Sequence, residues 1–326
     1  MTPVQEAVQA VVEAGGEAAS RLMASLEQRL AELAAGHGPL LARHAGDTIA
    51  AGGKRLRPLL LFLAAGAPPP ESEALLQAAV AVELVHSATL VHDDVLDGSP
   101  LRRGRPTVVA VGGRLSATAT GDLLFSRAFA ELARSGSVTS VRVLSEASTA
   151  LASGELIQRA DAFTAVSIER YMERCRLKTA VLFRAACELG AIEGPGGSDR
   201  VAGLADFGER IGLAFQLLDD VLDVSGPPER TGKPRGADLL DGTVNLPLII
   251  ARERDEALRA LDPRAVTDAR IADEVCARIA ATGALEEVRA RALDLVAGAK
   301  EVLPGLPRAQ HAALELIADA VVERYS

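Results

Sequence analysis

Apolar residues recur at helical spacing along almost the whole chain, in stretches separated by short segments rich in glycine and proline. The breaks fall at 36–38, 52–53, 68–70, 98–106, 112–113, 194–197 and 226–236. Between them the pattern predicts helices over about 71–96, 115–134, 138–163, 167–191, 199–224, 244–257, 270–281, 284–302 and 307–324. Because no break is long enough for a linker, we expect one domain over residues 1–326, built as a single large helical bundle.

Composition narrows the class of protein. Only 3% of the residues are aromatic, tryptophan is absent, and alanine and leucine are abundant, which favours an all-α fold. The net charge of −9 and the lack of clustered basic residues argue against a nucleic-acid partner. Cys175, Cys187 and Cys276 lack metal-ligand spacing and leave an odd thiol, which is typical of a reduced, cytoplasmic protein. We expect these cysteines to fill the core.

The sequence shows no pattern for export or membrane insertion. Residues 1–19 include Glu6 and Glu13 and have no basic start, unlike a secretory signal or a transit peptide. The longest uncharged apolar stretch is 58–70, which is rich in proline. It is too short to span a bilayer, which takes about 20 residues. The acidic balance offers no basic patch to anionic lipid. We therefore expect a soluble protein with at most peripheral membrane contact.

Two copies of one acidic pattern end apolar helical stretches: residues 93–97 and 219–223 both read Asp-Asp-Val-Leu-Asp. Residues four apart share a helix face, so the first and third Asp of each run present their oxygens side by side. Taken alone, either run could be a solvated helix end. The apolar flanks argue against that interpretation, because unpaired carboxylates are costly in a core. Paired carboxylates favour Mg²⁺, which commonly bridges protein carboxylates to a substrate diphosphate.

Basic residues accompany the acidic runs. Residues 53–58 read Gly-Lys-Arg-Leu-Arg-Pro, which places three cations where one predicted helix ends and the next begins. Further cations follow at Arg102, Arg103, Lys178 and Lys233. Each group alone would be ordinary surface. Together with the acidic runs they indicate a site for phosphate oxygens, which Arg binds with a planar fork and Lys with a compact charge.

From about residue 40 to the C-terminus the chain closely resembles the trans-isoprenyl diphosphate synthases, also called polyprenyl synthetases. The matching blocks are 53–58, 93–97 with 102–107, 121–122, 154–158, 178–179, 208–223 and 232–233. Each block is unspecific alone, and the specificity lies in their order and spacing. The resemblance implies an all-helical fold around a deep central cavity, a homodimer, and about three Mg²⁺ ions in each active site.

The resemblance also implies roles for individual residues. Metal ligands would be Asp93, Asp97 and Asp219, supported directly or through water by Asp94, Asp220 and Asp223. The allylic diphosphate would lie on the metals and on Arg102, Lys178 and Lys233, with Gln216 and Thr179 nearby and Gln158 as a lesser candidate. Isopentenyl diphosphate would bind at Gly53, Lys54, Arg57, His86 and Arg103. His86 taken alone would be a core histidine with satisfied hydrogen bonds.

The implied reaction is a condensation of isopentenyl diphosphate with an allylic diphosphate. Fixed cations and Mg²⁺ stabilise the departing pyrophosphate, and the double bond of isopentenyl diphosphate attacks the allylic cation. No Ser/His/Asp or Cys/His nucleophile arrangement is evident or required. A diffuse cation needs apolar walls instead.

Product length depends on the residues below the first acidic run. Only two residues separate its second and third Asp, which disfavours the common bacterial farnesyl subgroup. Small residues stand where short-chain members often carry a bulky aromatic, so the floor is expected to be open there. The predicted floor residues are Ala88, Thr89, Leu84, Phe125 and Phe129, with the two phenylalanines closing the cavity at depth. We favour a medium- or long-chain all-trans product, with geranylgeranyl or farnesyl diphosphate as the alternative.

Other functions remain open on sequence grounds. Residues 242–245 read Gly-Thr-Val-Asn where the family often has Gly-Lys-x-Thr, so a lysine that faces the diphosphate is missing. A class I terpene cyclase shares the fold, but its second motif typically differs and it needs no second diphosphate site. A non-catalytic subunit of a heteromeric prenyltransferase would usually lose Asp residues, and this chain retains all six.

Overall fold

The computed structural model describes residues 11–12, 15–36, 44–46, 48–49, 53, 55–66, 69, 71–102, 104–195, 198–226 and 235–323. Over these ranges the chain is almost entirely helical, so the all-α prediction is confirmed. The longer helices are α1 (Gly16–Ala35), α2 (Leu56–Ala65), α3 (Glu73–Asp97), α4 (Val108–Ala133), α5 (Val138–Ala160), α6 (Ile168–Cys175), α7 (Val181–Glu193), α8 (Val201–Ser225), α9 (Ala237–Leu240), α10 (Leu246–Arg254), α11 (Glu256–Ala260), α12 (Ala269–Ala280), α13 (Ala284–Glu301) and α14 (Arg308–Glu323). Two strands, β1 (Leu101–Arg102) and β2 (Arg105–Pro106), pair antiparallel.

Three predicted helices are wrong in detail. Helix α4 begins seven residues before the predicted 115, and the expected break is a kink at Gly113, whose φ of 74° suits glycine. The stretch predicted over 167–191 contains a π-helical segment, Arg176–Ala180, between α6 and α7. The stretch predicted over 244–257 divides at Asp255, whose side chain accepts a hydrogen bond from the Leu258 N–H and so starts α11.

By internal packing the described chain divides into two compact units. Unit 1 comprises 1–148, 182–208 and 302–320, and unit 2 comprises 149–181, 209–301 and 321–326. The prediction of a single domain over 1–326 stays a prediction.

Unit 1 is built around α3, which packs along α4 and also contacts α1 and α2. Helix α2 is buried from Pro58 to Ala65. Helix α7 lies close to α2, because a Cβ at Gly190 would come within 2.1 Å of the Leu61 carbonyl oxygen. Helix α3 has the length and apolarity of a bilayer span, but 72% of its most apolar window is buried inside the protein. This burial is typical of the core helix of a water-soluble fold.

Unit 2 is centred on α10. This helix contacts α6, α11, α12 and α13, and α12 also contacts α9. Its first six residues, Leu246–Ala251, are all buried. The preceding Asn245 caps the helix by accepting a hydrogen bond from the Leu248 N–H at 3.2 Å, and Pro247 occupies the first turn.

Candidate active site

The first acidic run forms the last turn of α3. Gly98 ends the helix with a left-handed φ of 61°, and its N–H returns to the Asp94 carbonyl. The short β1–β2 hairpin then places Arg102 beside the helix end, where its Nε and Nη2 both lie 2.8 Å from Oδ1 of Asp94. Asp94 is only 5% exposed, whereas Asp93 is half-buried and Asp97 is exposed. The protein itself therefore engages the second carboxylate of this run.

The second acidic run lies in the last two turns of α8 and shows the same division. Asp220 is 3% exposed. Its carboxylate accepts hydrogen bonds from Tyr171 Oη at 2.6 Å, Gln216 Nε2 at 2.8 Å and the Leu246 N–H at 3.4 Å. Burial and the Asp220 charge raise the pKa of Tyr171 well above its usual value, so its hydroxyl stays protonated and donates. Asp219 and Asp223 remain half-buried.

A fourth carboxylate, Asp238 on α9, lies beside the second run. Its N–H donates to Asp223 Oδ2 at 3.3 Å, and its own Oδ2 lies 3.4 Å from Asn245 Nδ2. Burial, with the Asp238 charge adding to it, raises the pKa of Asp220 to about 7 and that of Asp223 to about 9. The carboxylates of the second run and of Asp238 are crowded in a largely buried region. They therefore need a nearby cation to remain ionised.

The donor chemistry of both runs fits Mg²⁺. The groups are carboxylate oxygens, which are the hard ligands that this ion prefers, and the first and third Asp of each run retain exposed surface for water and phosphate. In the ranges that the structure describes, no three Asp, Glu, His or Cys side chains converge into a ready-made metal cluster.

The π-helical segment carries two of the predicted substrate-binding residues. Thr179 Oγ1 donates to Gln216 Oε1 at 2.7 Å, so Thr179, Gln216 and Asp220 form one hydrogen-bonded chain. Lys178 Nζ pairs with Glu155 on α5, which also pairs with Arg159. Burial favours the neutral form of Glu155. The positive charges of Lys178 and Arg159 outweigh burial, so the pKa of Glu155 is lowered. π-Helical turns are frequent at functional sites.

The basic segment 53–58 does not present three equivalent cations. Arg55, which the resemblance did not assign to a substrate, is 8% exposed and is bound inside unit 1 by the carboxylates of Glu27 and Glu83. Arg57 lies with its guanidinium carbon 4.3 Å from the centre of the Phe183 ring. Gly53 is exposed. Three further predicted residues fall outside the described residues, namely Lys54, Arg103 and Lys233.

The predicted floor residues differ in exposure. Ala88 has no exposed surface and Leu84 only 1%, whereas Thr89 is half-buried and donates from Oγ1 to the His86 carbonyl at 2.8 Å. Of the three floor residues on α3, Thr89 retains the most exposed surface.

The aromatic floor residues need one correction. The Phe125 ring stacks on His92, with 5.8 Å between ring centres, so it lies level with the residue before the acidic run. The sequence placed it deeper, because residue spacing on α4 does not reveal its register against α3. Phe129, one helical turn farther along α4, is half-buried and remains the deeper candidate.

Cysteines take no part in this chemistry. Cys175, Cys187 and Cys276 are all buried and form no disulfide, which confirms the prediction that they fill the core. Burial raises the pKa of Cys187 and of Cys276 to about 12. Thiols with such values carry almost no thiolate at neutral pH and are poor nucleophiles.

Sequence reasoning missed Tyr171, Glu155 and Asp238. Tyr171 and Asp220 are 49 residues apart, so no local spacing connects them. Glu155 stood inside a matched block without an assigned partner. Asn245 was read only as a departure from the family pattern, although an Asn before Leu-Pro is a signal for a helix cap.

Comparisons with known proteins agree over most of the chain. The family model for polyprenyl synthetase matches residues 39–279. Heptaprenyl diphosphate synthase component 2 of Geobacillus stearothermophilus is 38% identical over 275 residues, which are 83% of this chain and 85% of that protein. The short chain isoprenyl diphosphate synthase of Methanothermobacter thermautotrophicus is 37% identical over 300 residues, 87% of this chain and 90% of that protein. The crystal structure of a polyprenyl synthase from Caulobacter crescentus, complexed with calcium and isoprenyl diphosphate, matches with a TM-score of 0.89 at 34% identity, over 99% of this chain and 98% of that one.

Proposed function

The chain belongs to the polyprenyl synthetase family, and from this premise we propose that its product is a medium- or long-chain all-trans polyprenyl diphosphate. It is an enzyme, a trans-prenyltransferase that condenses isopentenyl diphosphate with an allylic diphosphate. The observation that carries the metal-dependent condensation is shared by the two acidic runs. Each ends a helix, holds its second Asp inside the protein, and leaves surface on its first and third Asp.

The family depends on a divalent metal, and we propose Mg²⁺ for this chain. Asp93 with Asp97, and Asp219 with Asp223, would hold it, and the number of about three ions rests on the resemblance alone. When bound, the metal neutralises charge on the diphosphate. The hydrogen bonds to Asp94 and Asp220 keep each helix end in place, so that the neighbouring carboxylates are aimed before substrate arrives.

The chain's own residues bind and orient the substrates in this proposal. Isopentenyl diphosphate would bind at Gly53, Lys54, Arg57, His86 and Arg103. The allylic diphosphate would bind at Arg102, Lys178, Thr179, Gln216 and Lys233. As the allylic C–O bond breaks, its electron pair leaves with pyrophosphate, and Arg102, Lys178 and Lys233 would stabilise that charge. The double bond of isopentenyl diphosphate then forms the new C–C bond, and the proton that is lost passes to pyrophosphate.

Product length rests on the residues below the first run. Ala88 and Thr89 are small where a bulky aromatic residue would stop elongation, which supports a product longer than farnesyl diphosphate, and Thr89 is half-buried. A shorter product, geranylgeranyl or farnesyl diphosphate, is the second candidate, because the Methanothermobacter relative is named a short chain synthase.

The cellular setting is part of the proposal. We place the enzyme in the cytoplasm as a homodimer, and its three buried, unbridged cysteines suit a reducing compartment. The Geobacillus relative is named as one component of a synthase, so a second, different subunit is the alternative assembly.

One experiment separates the competing functions. Purified protein is incubated with Mg²⁺ and farnesyl diphosphate, with and without labelled isopentenyl diphosphate, and a matched sample contains a chelator. We expect label in the allylic product only when both isopentenyl diphosphate and metal are present. Hydrocarbon released from the allylic diphosphate alone would instead indicate a cyclase.

A further inference from the structure

Arg55 is bound on every nitrogen of its guanidinium group. Its Nε and Nη2 donate to the two carboxylate oxygens of Glu27 at 2.7 and 3.2 Å, and Nη1 donates to Glu83 Oε1 at 2.6 Å. Nη2 also donates to the Ile49 carbonyl at 3.0 Å. Burial opposes the charge of Arg55, yet the two carboxylates outweigh it and raise the Arg55 pKa. This arginine is therefore committed to the protein interior.

The backbone at Arg55 is also unusual. Its φ of 47° and ψ of 36° are left-handed, a conformation that only Arg55 and Phe163 adopt among the non-glycine residues that the structure describes. L-residues with a Cβ rarely adopt it unless surrounding contacts hold them there. Helix α2 begins at the next residue, so the left-handed turn sets the direction in which the helix starts.

The contacts of Arg55 reach two other helices. Glu27 belongs to α1 and Glu83 to the buried part of α3, so the guanidinium ties the start of α2 to both. Arg57, two residues farther on, packs over Phe183 of α7. All of these residues belong to unit 1. The orientation of this turn thus decides where Arg57 is placed.

We propose that Arg55 is a positioning residue for isopentenyl diphosphate: its bonds to Glu27 and Glu83 hold the left-handed turn from which α2 starts, and this turn places Arg57 for the diphosphate. This inference rests on the proposed function, because it needs isopentenyl diphosphate as a substrate. Arginine is required here, since only a planar fork reaches two carboxylates and a carbonyl at once. A lysine keeps the charge but satisfies fewer acceptors.

The test compares Arg55→Lys with the matched variant Arg29→Lys. Arg29 donates from Nε to the buried Glu131 at 3.0 Å and ties α1 to α4 within the same unit, away from the basic segment. Each variant keeps a positive charge and removes the fork. For Arg55→Lys we expect the KM for isopentenyl diphosphate to rise about fivefold to tenfold, with the allylic KM and kcat changed by less than about twofold. Arg29→Lys should leave both KM values unchanged.

An unchanged KM for isopentenyl diphosphate in folded Arg55→Lys, or an equal rise of both KM values, would overturn the inference. If Arg55→Lys does not fold, Glu27→Gln replaces it, because Glu27 is half exposed and its loss removes only part of the network. For Glu27→Gln too, an unchanged KM for isopentenyl diphosphate or an equal rise of both KM values would overturn the inference. A wild-type protein that incorporates no isopentenyl diphosphate overturns the proposed function itself, whereas an active wild type with insensitive variants overturns only the role of Arg55.

Discussion

At the scale of single residues, the two acidic runs show the same difference between their second Asp and the flanking Asp residues. Asp94 and Asp220, the second residue of each run, are buried and bound by protein donors. The flanking carboxylates retain surface. A pair of adjacent Asp residues therefore combines one group that fixes the helix end with one that can reach metal. This division explains why the pattern contains more carboxylates than one ion needs.

Tyr171→Phe tests the anchoring of the second run. Loss of the hydroxyl removes a hydrogen bond to a buried carboxylate, so we expect a lower free energy of unfolding by about 1.5–3 kcal/mol. We also expect a several-fold rise in the Mg²⁺ concentration for half-maximal activity, because the run would be less well oriented. Urea unfolding and a metal titration measure the two effects. A variant with wild-type metal dependence would show that Tyr171 has only a structural role.

The Glu155–Lys178 pair predicts a pH-dependent difference in stability. The pKa of Glu155 in the folded protein is lowered, so its contribution is present above the unfolded pKa of about 4.3 and is lost as pH falls through the folded value. Glu155→Gln should therefore unfold about 1 kcal/mol more easily than wild type at pH 7. The gap should narrow below about pH 4. Urea unfolding measures this difference in unfolding free energy. If wild type and Glu155→Gln differ equally at pH 7 and below about pH 4, the Glu155–Lys178 pair is not the cause of the difference.

At the scale of elements, helix α3 connects the core to the chemistry. It is buried along most of its length and emerges with the first acidic run at its end. Its neighbour α4 approaches closely, because a Cβ at Gly121 would lie 2.2 Å from His92 Nε2. The same face of α3, one turn before Asp93, carries the predicted floor. Side chains at this level can therefore limit the growth of a product.

Thr89→Phe tests the floor. The position is only half-buried, so we expect a folded enzyme whose products are shorter than those of wild type. Ala88→Phe should shorten them as well, but with a loss of about 1–3 kcal/mol in stability, because Ala88 has no exposed surface and the ring must displace its neighbours. Product sizing and thermal unfolding compare the variants. An unchanged product distribution in Thr89→Phe would refute the floor assignment.

At the scale of the whole molecule, the sequence predicts what is local. Helices and the spacing of the acidic runs depend on neighbouring residues, so they could be predicted, and most helix bounds agree within a few residues. The inward turn of Arg55, the bond from Tyr171 to Asp220 and the stacking of Phe125 on His92 depend on tertiary packing. No periodicity encodes those contacts. The roles of Lys54, Arg103 and Lys233 remain predictions from sequence.

The most direct test of the account is to size the products that this chain makes alone. Purified protein would receive Mg²⁺, farnesyl diphosphate and labelled isopentenyl diphosphate, and the dephosphorylated products would be separated by length over time. We expect metal-dependent labelled products that extend beyond geranylgeranyl. A stop at geranylgeranyl would contradict the proposed length and keep the enzyme class. No incorporation with any allylic primer would contradict the central claim that this chain is itself a chain-elongating prenyltransferase.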